Sequence, residues 1–463
     1  MYKKHLQLSF DDFVFPYGRL NPENRWVKLA DIIDWDSVED EYAKGFTDNG
    51  APAHPARMAL GSLIAKQMLG CSDKELTMQI AENPYLQRFI GLKEFQESCP
   101  FGASTLVAFR KRFSEEDIMR INDRIIKDAE DDGGDDDSAG GTLIVDATVA
   151  PSDITYPQDV KLLNEARVKL EGIIDDLCLQ TGVRRPRTYR QNARRDFLNW
   201  SKSRRRGAGQ TRKAIRRQLG YVRRDLGYIE GLTGKHNALM SRRQEELMTT
   251  IRTVFAQQQY MYESRTHSVP GRIISIAQPW VRPIVRGKAN ANTEFGAKVH
   301  TSIDGGFSRI EDLSFDAYNE ADRLIDAIEA YNERNGHYPS RVLADKIYRN
   351  RKNLNWCKER DIKISGPRLG RPPKDTTLMK ADMVQERKDA SERNEVEGSY
   401  GTMKTAYGMD PVKARLEETT RTVIALSVLV FNLKKRLNAS LALILEWLNK
   451  LLANQEGMFA AAA

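Results

Sequence analysis

Two apolar segments that each carry an aspartate constrain the fold of this chain most. Residues 142–150 contain Asp146, are rich in β-branched residues and lie between glycines and a proline, which predicts a buried strand. A second apolar run ends at Asp345 and follows an amphipathic helical pattern over residues 319–335. Because a helix that connects two strands implies parallel neighbours, the carboxyl ends of both strands should meet at one edge of a sheet. Asp345 can therefore lie beside Asp146.

A third acidic residue stands in a helical segment downstream. If residues 391–404 form a helix, Arg393, Glu397 and Lys404 fall on one side of it, because offsets of four and seven residues return to nearly the same angle. A carboxylate between two cations suits a metal-binding glutamate whose neighbours hold a phosphate backbone. A solvated helix face with charge pairs is the alternative interpretation of this segment taken alone.

The spacing of these three residues resembles a family signature. In the DDE transposases that bacterial insertion sequences encode, a glutamate supplies the last catalytic carboxylate. Three residues separate it from a preceding arginine, and six residues separate it from a following lysine. Arg393, Glu397 and Lys404 reproduce this spacing. Members of the family usually have a tyrosine three residues before the arginine, where this chain has Ala390. The difference concerns one phosphate contact and the subgroup, and it leaves the carboxylate in place.

Both aspartates fit the same resemblance. Asp146 stands in the setting of the first catalytic aspartate of these enzymes, on the first strand of an RNase H-like sheet. Residues 156–167 are similar to the segment that follows that aspartate in one branch of the family. Asp345 resembles the second catalytic aspartate, because Lys346 and Tyr348 match an Asp-Lys pair that precedes a tyrosine.

The resemblance implies a metal-dependent reaction. It assigns Asp146, Asp345 and Glu397 as catalytic residues and as ligands of two Mg²⁺ ions, with Asp146 bridging and Mn²⁺ able to substitute. Two divalent ions roughly 3.5–4 Å apart can activate an attacking water or hydroxyl and stabilise the leaving oxygen of a phosphodiester. The implied contacts to DNA beside the cleaved bond are Arg393, Lys404 and Lys346.

Short helices are predicted ahead of the first strand. The first forty residues show no usable period, but from His54 to Phe113 apolar residues recur at helical spacings, with helix stops at Gly70 and at Asn83-Pro84. Ser72 can cap the second of these helices. The last helix ends in basic residues, which suggests a helix-turn-helix-like module that binds DNA. A helical bundle with a solvated basic edge is the alternative. Residues 54–113 resemble the N-terminal helical domain of the same transposase family, which favours DNA binding by Arg110 and Lys111.

The most basic part of the chain lies between Arg184 and Arg224, where Asp196 is the one acidic residue. Positive charges at this density repel one another unless they are neutralised. Binding to DNA neutralises them, and the release of counterions from the DNA makes binding favourable. We therefore favour phosphate contacts over a solvated helix face. Interleaved aromatic residues can stack on bases or pack in the core. The predicted DNA-binding arginines are Arg204, Arg205, Arg206, Arg216 and Arg217.

Further strands are predicted in the second half of the chain. They are expected at residues 272–276 and 281–285, in a hairpin over 294–315 that turns at Asp304-Gly305-Gly306, and at 361–364. His300 on this hairpin is a weak candidate ligand, because a lone histidine on a strand is usually part of the sheet. The predicted fold class is α/β, with an RNase H-like mixed sheet as catalytic core, a mainly helical N-terminal domain and a helical insertion.

The predicted domains follow from these segments. They are an N-terminal helical DNA-binding domain (1–127), an acidic flexible linker (128–141), a catalytic core (142–160 and 265–436), a basic helical insertion (161–264), and a C-terminal helix and tail (437–463). The linker has seven acidic residues between positions 128 and 137, which cannot bury apolar area and repel one another.

Charge and cysteine usage narrow the class of function. A net charge of +8 favours a polyanionic partner, and four widely separated cysteines argue against a zinc cluster or a disulfide framework. No apolar run is long enough to span a bilayer. The expected protein is cytoplasmic and nucleoid-associated, binds double-stranded DNA as a homodimer, and has no membrane partner.

The expected function is DNA transposition. The enzyme would bind the inverted-repeat ends of its element, cleave phosphodiesters there and join the 3′-hydroxyls to target DNA. Two alternatives stay open. One is a DNA-binding repressor or capture protein that derives from such an enzyme and no longer cuts. The other is a metal-dependent nuclease without strand joining.

Overall fold

The computed structural model describes residues 14–16, 18–47, 52–133, 141–285, 293–366 and 376–461, with the backbone alone for 131–133, 376–379, 381 and 440–461. The chain divides into two compact units. Unit 1 consists of Met1–Ala150, Val299–Leu313 and Tyr318–Ala463, and unit 2 of Pro151–Lys298 and Ser314–Ala317. Half of the predicted acidic linker, residues 134–140, lies outside the described residues. The predicted domain boundaries stay predictions.

The N-terminal part of unit 1 is helical. Its helices are α1 (Arg25–Ile32), α2 (Trp35–Ala43), α3 (Ala56–Leu69), α4 (Asp73–Glu82), α5 (Pro84–Phe89), α6 (Thr105–Arg112) and α7 (Glu115–Gly133). The predicted stops are confirmed: Gly70 is left-handed with φ of 62°, and Asn83 ends α4 and caps α5. The Ser72 hydroxyl accepts the backbone N–H of Glu75. Local side-chain chemistry therefore sets these helix ends.

The first two helices were not predicted from the sequence. Both are short, and they are positioned by tryptophans rather than by a long apolar stripe. The rings of Trp26 and Trp35 lie 5.2 and 5.7 Å from that of Phe89, and the Trp35 indole N–H donates to the Ala30 carbonyl. Aromatic packing between α1, α2 and α5 thus holds these helices in place, and α1 and α2 are too short to show the apolar period of a longer helix.

A mixed sheet forms the second part of unit 1. The strands are β1 (Thr142–Pro151), β2 (Arg282–Val285), β3 (Thr293–Asp304), β4 (Phe307–Ser314), β5 (Arg341–Leu343) and β6 (Lys363–Ile364). They are ordered β2-β3-β1-β5-β6, and β4 also pairs with β3. β1 and β5 are parallel, as predicted, with Thr142 opposite Arg341 and Ile144 opposite Leu343. β6 continues the parallel part, and the antiparallel pairing of β2 with the start of β3 belongs to unit 2.

One predicted strand is wrong. Residues 272–276 have no regular secondary structure, because Ile273 and Ile276 pack into the helical core of unit 2 instead of joining a ladder. A short apolar run with β-branched residues fits either environment. The predicted strands at 281–285 and 361–364 are confirmed with shorter bounds, as β2 and β6, and the hairpin that turns at Asp304 is confirmed as β3 and β4.

Helices cover the sheet and complete unit 1. A 3-10 turn (Glu320–Arg323) leads into α12 (Leu324–Asn335), and α13 (Arg351–Lys358), α14 (Thr376–Ala406) and α15 (Glu417–Ala461) follow. α12 buries Leu324 and Ile328 against Leu143 and Val342 of the sheet. The single helix α15 runs through the predicted boundary at residue 437, and it packs on α7, α3, α1 and α6. The N-terminal helices and the C-terminal helix therefore share one unit.

Unit 2 has its own helical core. Its helices are α8 (Asp159–Thr181), α9 (Arg190–Lys202), α10 (Ala208–Lys235) and α11 (Arg242–Ser264), which confirms the helical prediction for residues 161–264. The core residues, fully buried or nearly so, include Leu163, Leu170, Ile174, Val222, Ile229, Ile251 and Val254. In neither unit does any helix of the described residues combine the length and the apolar character needed to cross a membrane.

Unit 2 also buries a carboxylate. Asp225 on α10 is fully buried, and neither of its carboxylate oxygens has a hydrogen-bond partner among the described residues. Burial raises the pKa of Asp225 to about 7, and the charge of Glu171 adds to this, while Arg167, Arg224 and Arg190 oppose it. In the folded state Asp225 therefore holds its proton far above the pH at which an exposed aspartate loses it.

This burial predicts a pH-dependent stability of unit 2. Because the pKa of Asp225 is raised by folding, its contribution to stability is highest at low pH and declines as the pH rises towards 7. Between pH 5 and pH 8.5 the free energy of opening of wild type should fall relative to Asp225→Asn by about 3 kcal/mol. Hydrogen exchange of the α8 and α10 amides measures this difference. Asp176→Asn, at an exposed position of α8, is the matched control, and equal pH slopes in wild type and Asp225→Asn would contradict the prediction.

Candidate active site

The two predicted aspartates come shortly after the paired residues of the neighbouring strands β1 and β5. The register of these strands reaches Ile144 opposite Leu343, so Asp146 follows the last pair by two residues within β1, and Asp345 follows it by two residues beyond the end of β5. Asp146 is half-buried between two buried neighbours in β1. Asp345 lies two residues beyond the end of β5, is exposed, and accepts the Lys346 backbone N–H at 2.7 Å as the cap of the turn Lys346–Tyr348. The parallel pairing of β1 and β5 is as predicted, and the meeting of the two carboxylates stays a prediction.

Helix α14 lies beside both strand ends. Its Arg393 guanidinium is 3.4 Å from the Asp345 carboxylate, and its Tyr400 hydroxyl donates to the main-chain carbonyl of Asp146 at 2.9 Å. Closer to the start of the helix, Asp389 and Glu392 pair with Arg341 of β5 at 3.4 and 2.5 Å. One side of α14 thus contacts β5 and then β1.

Glu397 lies on that same side of α14. It follows Arg393 by four residues and precedes Tyr400 by three, and residues at these offsets share a helix face. Since Arg393 contacts Asp345 and Tyr400 contacts Asp146, Glu397 stands between the two contacts. It is exposed. Residues 393–400 of α14 therefore contact Asp345 and the main chain of Asp146, and the approach of the Glu397 carboxylate to the two aspartates stays a prediction.

The three carboxylates do not form a closed cluster. In the described part of the chain, no three aspartate, glutamate, histidine or cysteine side chains lie close enough together to hold a metal ion. The Asp345 carboxylate instead pairs with Arg393. His300 is fully buried in β3, with its ring 5.8 Å from that of Tyr348, which agrees with its interpretation as a residue of the sheet.

The predicted DNA contacts of unit 1 differ in their surroundings. Lys346 is exposed beside Asp345, and Lys404 lies half-buried on α14, seven residues after Glu397. Arg110 donates twice to the Asp73 carboxylate, at 3.1 and 2.6 Å, and its side chain is 13% exposed. This pairing joins α6 to α4. Lys111 lies 3.3 Å from Glu418. Arg110 therefore has a structural partner, and its role in DNA binding stays a prediction.

The predicted basic region of unit 2 forms an exposed surface. Arg204, Arg205 and Arg206 are exposed at the loop between α9 and α10, and Arg216 and Arg217 are exposed on α10. In this region the Arg217 guanidinium lies 2.9 Å from Asp196. Positive charge thus outweighs negative charge here, as the sequence predicted.

The aromatic residues of this region pack against arginines of the same chain. The Arg206 guanidinium lies 4.9 Å from the centre of the Trp200 ring, and Trp200 is 5% exposed. Tyr189 has Arg187 and Arg224 at 4.9 and 4.7 Å from its ring centre. Both rings are engaged in cation–π contacts. Trp200 is also buried, whereas Tyr189 is 39% exposed, so packing accounts for Trp200 and intramolecular arginine contacts for Tyr189.

Two site residues, Arg341 and Tyr400, were missed from the sequence. The spacing of Tyr400 from Glu397 could have indicated a shared helix face. No sequence signal could have indicated its partner, because that partner is a main-chain carbonyl, which every residue has. Arg341 precedes an apolar run. A charged residue at the end of a strand needs no ion-pair partner, so nothing in the sequence indicated the partners of Arg341.

Comparisons with known proteins decide the family. A model described as a transposase DDE domain matches residues 342–434, and a model described as a transposase domain, DUF772, matches residues 15–112. The chain belongs to the insertion-sequence DDE transposases. The first match of this transposase contains Asp345 and Glu397, whereas Asp146 and the basic helices lie in neither.

A curated relative also matches the transposase. It is an uncharacterized protein, ORF8 in the nfe locus, of Rhizobium meliloti, 30% identical over 147 residues, which cover 32% of this chain and 71% of the relative. No solved structure matches the transposase significantly. The family predicted from the acidic segments is thus confirmed.

Proposed function

We propose that this transposase binds the inverted-repeat ends of its insertion sequence, cleaves phosphodiesters at those ends and joins the freed 3′-hydroxyls to target DNA. One observation carries the proposal: α14 contacts Asp345 through Arg393 and Asp146 through Tyr400, with Glu397 between these contacts. These contacts bring α14, which carries Glu397, against residues that are remote from it in sequence and that carry the other two acids.

The proposed catalytic core is RNase H-like. What supports this is the strand order, in which β1 lies between β3 of the β3–β4 hairpin and the parallel strand β5. α12 supplies the crossover to β5. The parallel pairing of β1 with β5 would then bring Asp146, within β1, near Asp345, just beyond β5.

The donor chemistry of the three acids suits Mg²⁺, or Mn²⁺ in its place, because hard cations prefer carboxylate oxygens and keep some of their waters. Asp146, Asp345 and Glu397 would hold the ions, which when bound supply nucleophile activation and stabilisation of the leaving oxygen. Arg393, on binding DNA, exchanges the Asp345 carboxylate for a phosphate. A guanidinium offers paired donors to either group.

Lys404 and Lys346 flank the acids, from α14 and from the turn after β5. Both present an ammonium group, which attracts a phosphate as a point charge and without fixed geometry. The exposed arginines of unit 2 supply affinity for the DNA backbone, and phosphate contacts of this kind carry no sequence information. The choice of the ends therefore has to come from other residues.

The test of this function is one reaction with three readouts. Purified protein, Mn²⁺, a duplex that carries the element's end and a supercoiled target plasmid are incubated together, with Asp146→Asn as control. Nicked duplex with plasmid-joined product supports the transposase. Nicking without joining indicates a nuclease, and a salt-sensitive gel shift without nicking indicates a repressor or capture protein. The mass of the protein–DNA complex tests the expected homodimer.

The pairing of Arg393 with Asp345 leads to a separate prediction. In Arg393→Gln, Asp345 loses a competing cation, so Mn²⁺ should bind the DNA-free protein about 2–5-fold more tightly, the range of an exposed ion pair. Cleavage should nevertheless fall about 10–100-fold, because a charge-assisted hydrogen bond to phosphate is removed. Calorimetric titration and a nicking assay measure the two effects.

Lys388→Gln is the matched control for this prediction. Lys388 is a basic residue of the same helix, is 66% exposed, and lies 3.9 Å from Glu392. Its removal should change neither quantity. Unchanged Mn²⁺ affinity and unchanged cleavage in Arg393→Gln would rule out the proposed exchange of partners.

A further inference from the structure

We propose that Tyr400 is a positioning residue, which fixes the rotation of α14 so that Glu397 faces Asp146 and Asp345. The inference rests on the proposed function, because it concerns the same three carboxylates. Tyr400 stands outside the arginine-glutamate-lysine spacing that indicated the family. Its contacts, and not its place in a motif, are what point to this role.

The hydrogen bonds of Tyr400 have one possible direction. Its hydroxyl lies 2.9 Å from the Asp146 carbonyl and 2.6 Å from the Thr301 hydroxyl. A carbonyl only accepts, so Tyr400 donates its proton to Asp146, and the Thr301 hydroxyl must donate to Tyr400. Tyr400 therefore joins α14 to β1 and to β3 by one directed chain of bonds.

This chain of bonds is shielded from solvent. Thr301 is fully buried and Tyr400 is 7% exposed. Hydrogen bonds in such surroundings are stronger than exposed ones, and each partner is costly to leave unsatisfied. By contrast, the Arg393–Asp345 pair on the other side of Glu397 is partly exposed, with side chains 28% and 56% accessible, and contributes little to rigidity.

Apolar packing alone cannot fix the rotation of α14. Val396 and Met403, four residues before and three after Tyr400, are buried, and they hold the helix against unit 1. Such contacts are non-directional, so they tolerate small rotations about the helix axis. Each residue of a helix turns by about 100°, and a modest rotation would therefore move the Glu397 carboxylate away from the two aspartates. Arg341 constrains α14 before Glu397 through Asp389 and Glu392, and the Tyr400 hydroxyl supplies the angular constraint after Glu397.

Tyr400→Phe removes the hydroxyl and keeps the ring. Partners that orient metal ligands typically contribute 10–100-fold to ion affinity or activity, and we expect a loss of Mn²⁺ affinity of about 10-fold in Tyr400→Phe. The melting temperature of the DNA-free, ion-free protein should fall by a few degrees at most, because the ring and its packing are kept while a buried carbonyl and a buried hydroxyl lose one partner. Mn²⁺ binding by calorimetry and the Mn²⁺ concentration for half-maximal nicking are the two readouts.

Thr301→Val and Tyr407→Phe complete the experiment. Thr301→Val removes the donor to Tyr400 and should weaken Mn²⁺ binding by less, and the double variant should bind as Tyr400→Phe does. Tyr407, just beyond α14, makes no hydroxyl hydrogen bond with the described residues, so Tyr407→Phe should bind as wild type.

The outcomes distinguish a failure of the positioning role of Tyr400 from a failure of the proposed function. Wild-type Mn²⁺ affinity in Tyr400→Phe overturns the positioning role, even if Asp146→Asn abolishes binding and cleavage and so upholds the function. Equal losses in Tyr407→Phe and Tyr400→Phe also overturn it, because a general effect of ring substitution would then suffice. If wild type neither binds Mn²⁺ nor nicks DNA, the proposed function fails and the positioning role fails with it.

Discussion

Asp146→Asn, Asp345→Asn and Glu397→Gln are each expected to lower the rate of Mg²⁺-dependent nicking by about 10³-fold or more. The amides keep the shape of the side chains and remove the negative charge that holds a divalent cation. Ion-assisted stabilisation of a phosphodiester transition state is worth several kcal/mol, and each 1.36 kcal/mol is tenfold in rate. Binding to the element's ends should change by less than about 3-fold, since most of that affinity comes from phosphate contacts elsewhere.

Glu395→Gln is the matched control for this loss. Glu395 lies on the same helix, two residues before Glu397, and pairs with Lys435 of α15 at 3.0 Å. An offset of two residues turns a helix by about 200°, so Glu395 faces away from the aspartates. Full nicking activity in any of the three site variants would remove that residue from the active site, and strong loss in Glu395→Gln would indicate a general effect of charge removal on α14.

Replacing Arg204, Arg205, Arg206, Arg216 and Arg217 together by glutamine should weaken DNA binding by about 10²–10³-fold at physiological salt. Each phosphate that a cation neutralises releases counterions, so the slope of log affinity against log salt becomes shallower by about 0.9 for each phosphate that is no longer neutralised. A decrease of the slope by about 3 to 4 would mean that most of the five arginines bind phosphates in the wild-type complex. Fluorescence anisotropy with a labelled duplex over a range of salt concentrations measures both quantities.

Arg242 and Arg243 provide the comparison within unit 2. Arg242 opens α11, is 92% exposed and pairs with Glu246, and both arginines lie outside the basic region. Their double replacement by glutamine should leave the slope within about 0.9 of the wild-type value, which corresponds to one phosphate. If the variant with all five replacements binds DNA with the wild-type slope, these five arginines do not contact phosphates.

Most of the sheet could be predicted from the sequence, because its signals are local. The Asp-Gly turn after β3, the glycine-flanked run of β1 and the helix before β5 each have a short-range cause. Residues 272–276 failed because the same apolar composition packs equally well in a helical core. α1 and α2 escaped recognition because contacts with Phe89, more than fifty positions away, position them.

In the candidate site, too, residues with a local sequence signal could be recognised, whereas contacts between distant residues could not. The three acids were predicted from their setting in strands and from their resemblance to a family signature, and their catalytic role stays a prediction. The structural partner of Arg110 could not be predicted, since the neighbours of Arg110 in sequence are basic and Asp73 lies in another helix. The pairing of Arg393 with Asp345 was not predicted either, because Arg393 was expected to bind a phosphate and Asp345 to bind a metal ion.

The place of unit 2 in the chain affects how the protein can fold. β1 and β3 are neighbours in the sheet, yet all four helices of unit 2 lie between them in sequence. Closing such a long loop is entropically unfavourable and slow for an unstructured chain. Unit 2 has its own core and mainly local helical contacts, so it can form first and shorten the effective separation of the two strands. Pulsed hydrogen exchange during refolding should then protect α8 and α10 before β1, and simultaneous protection would exclude this order.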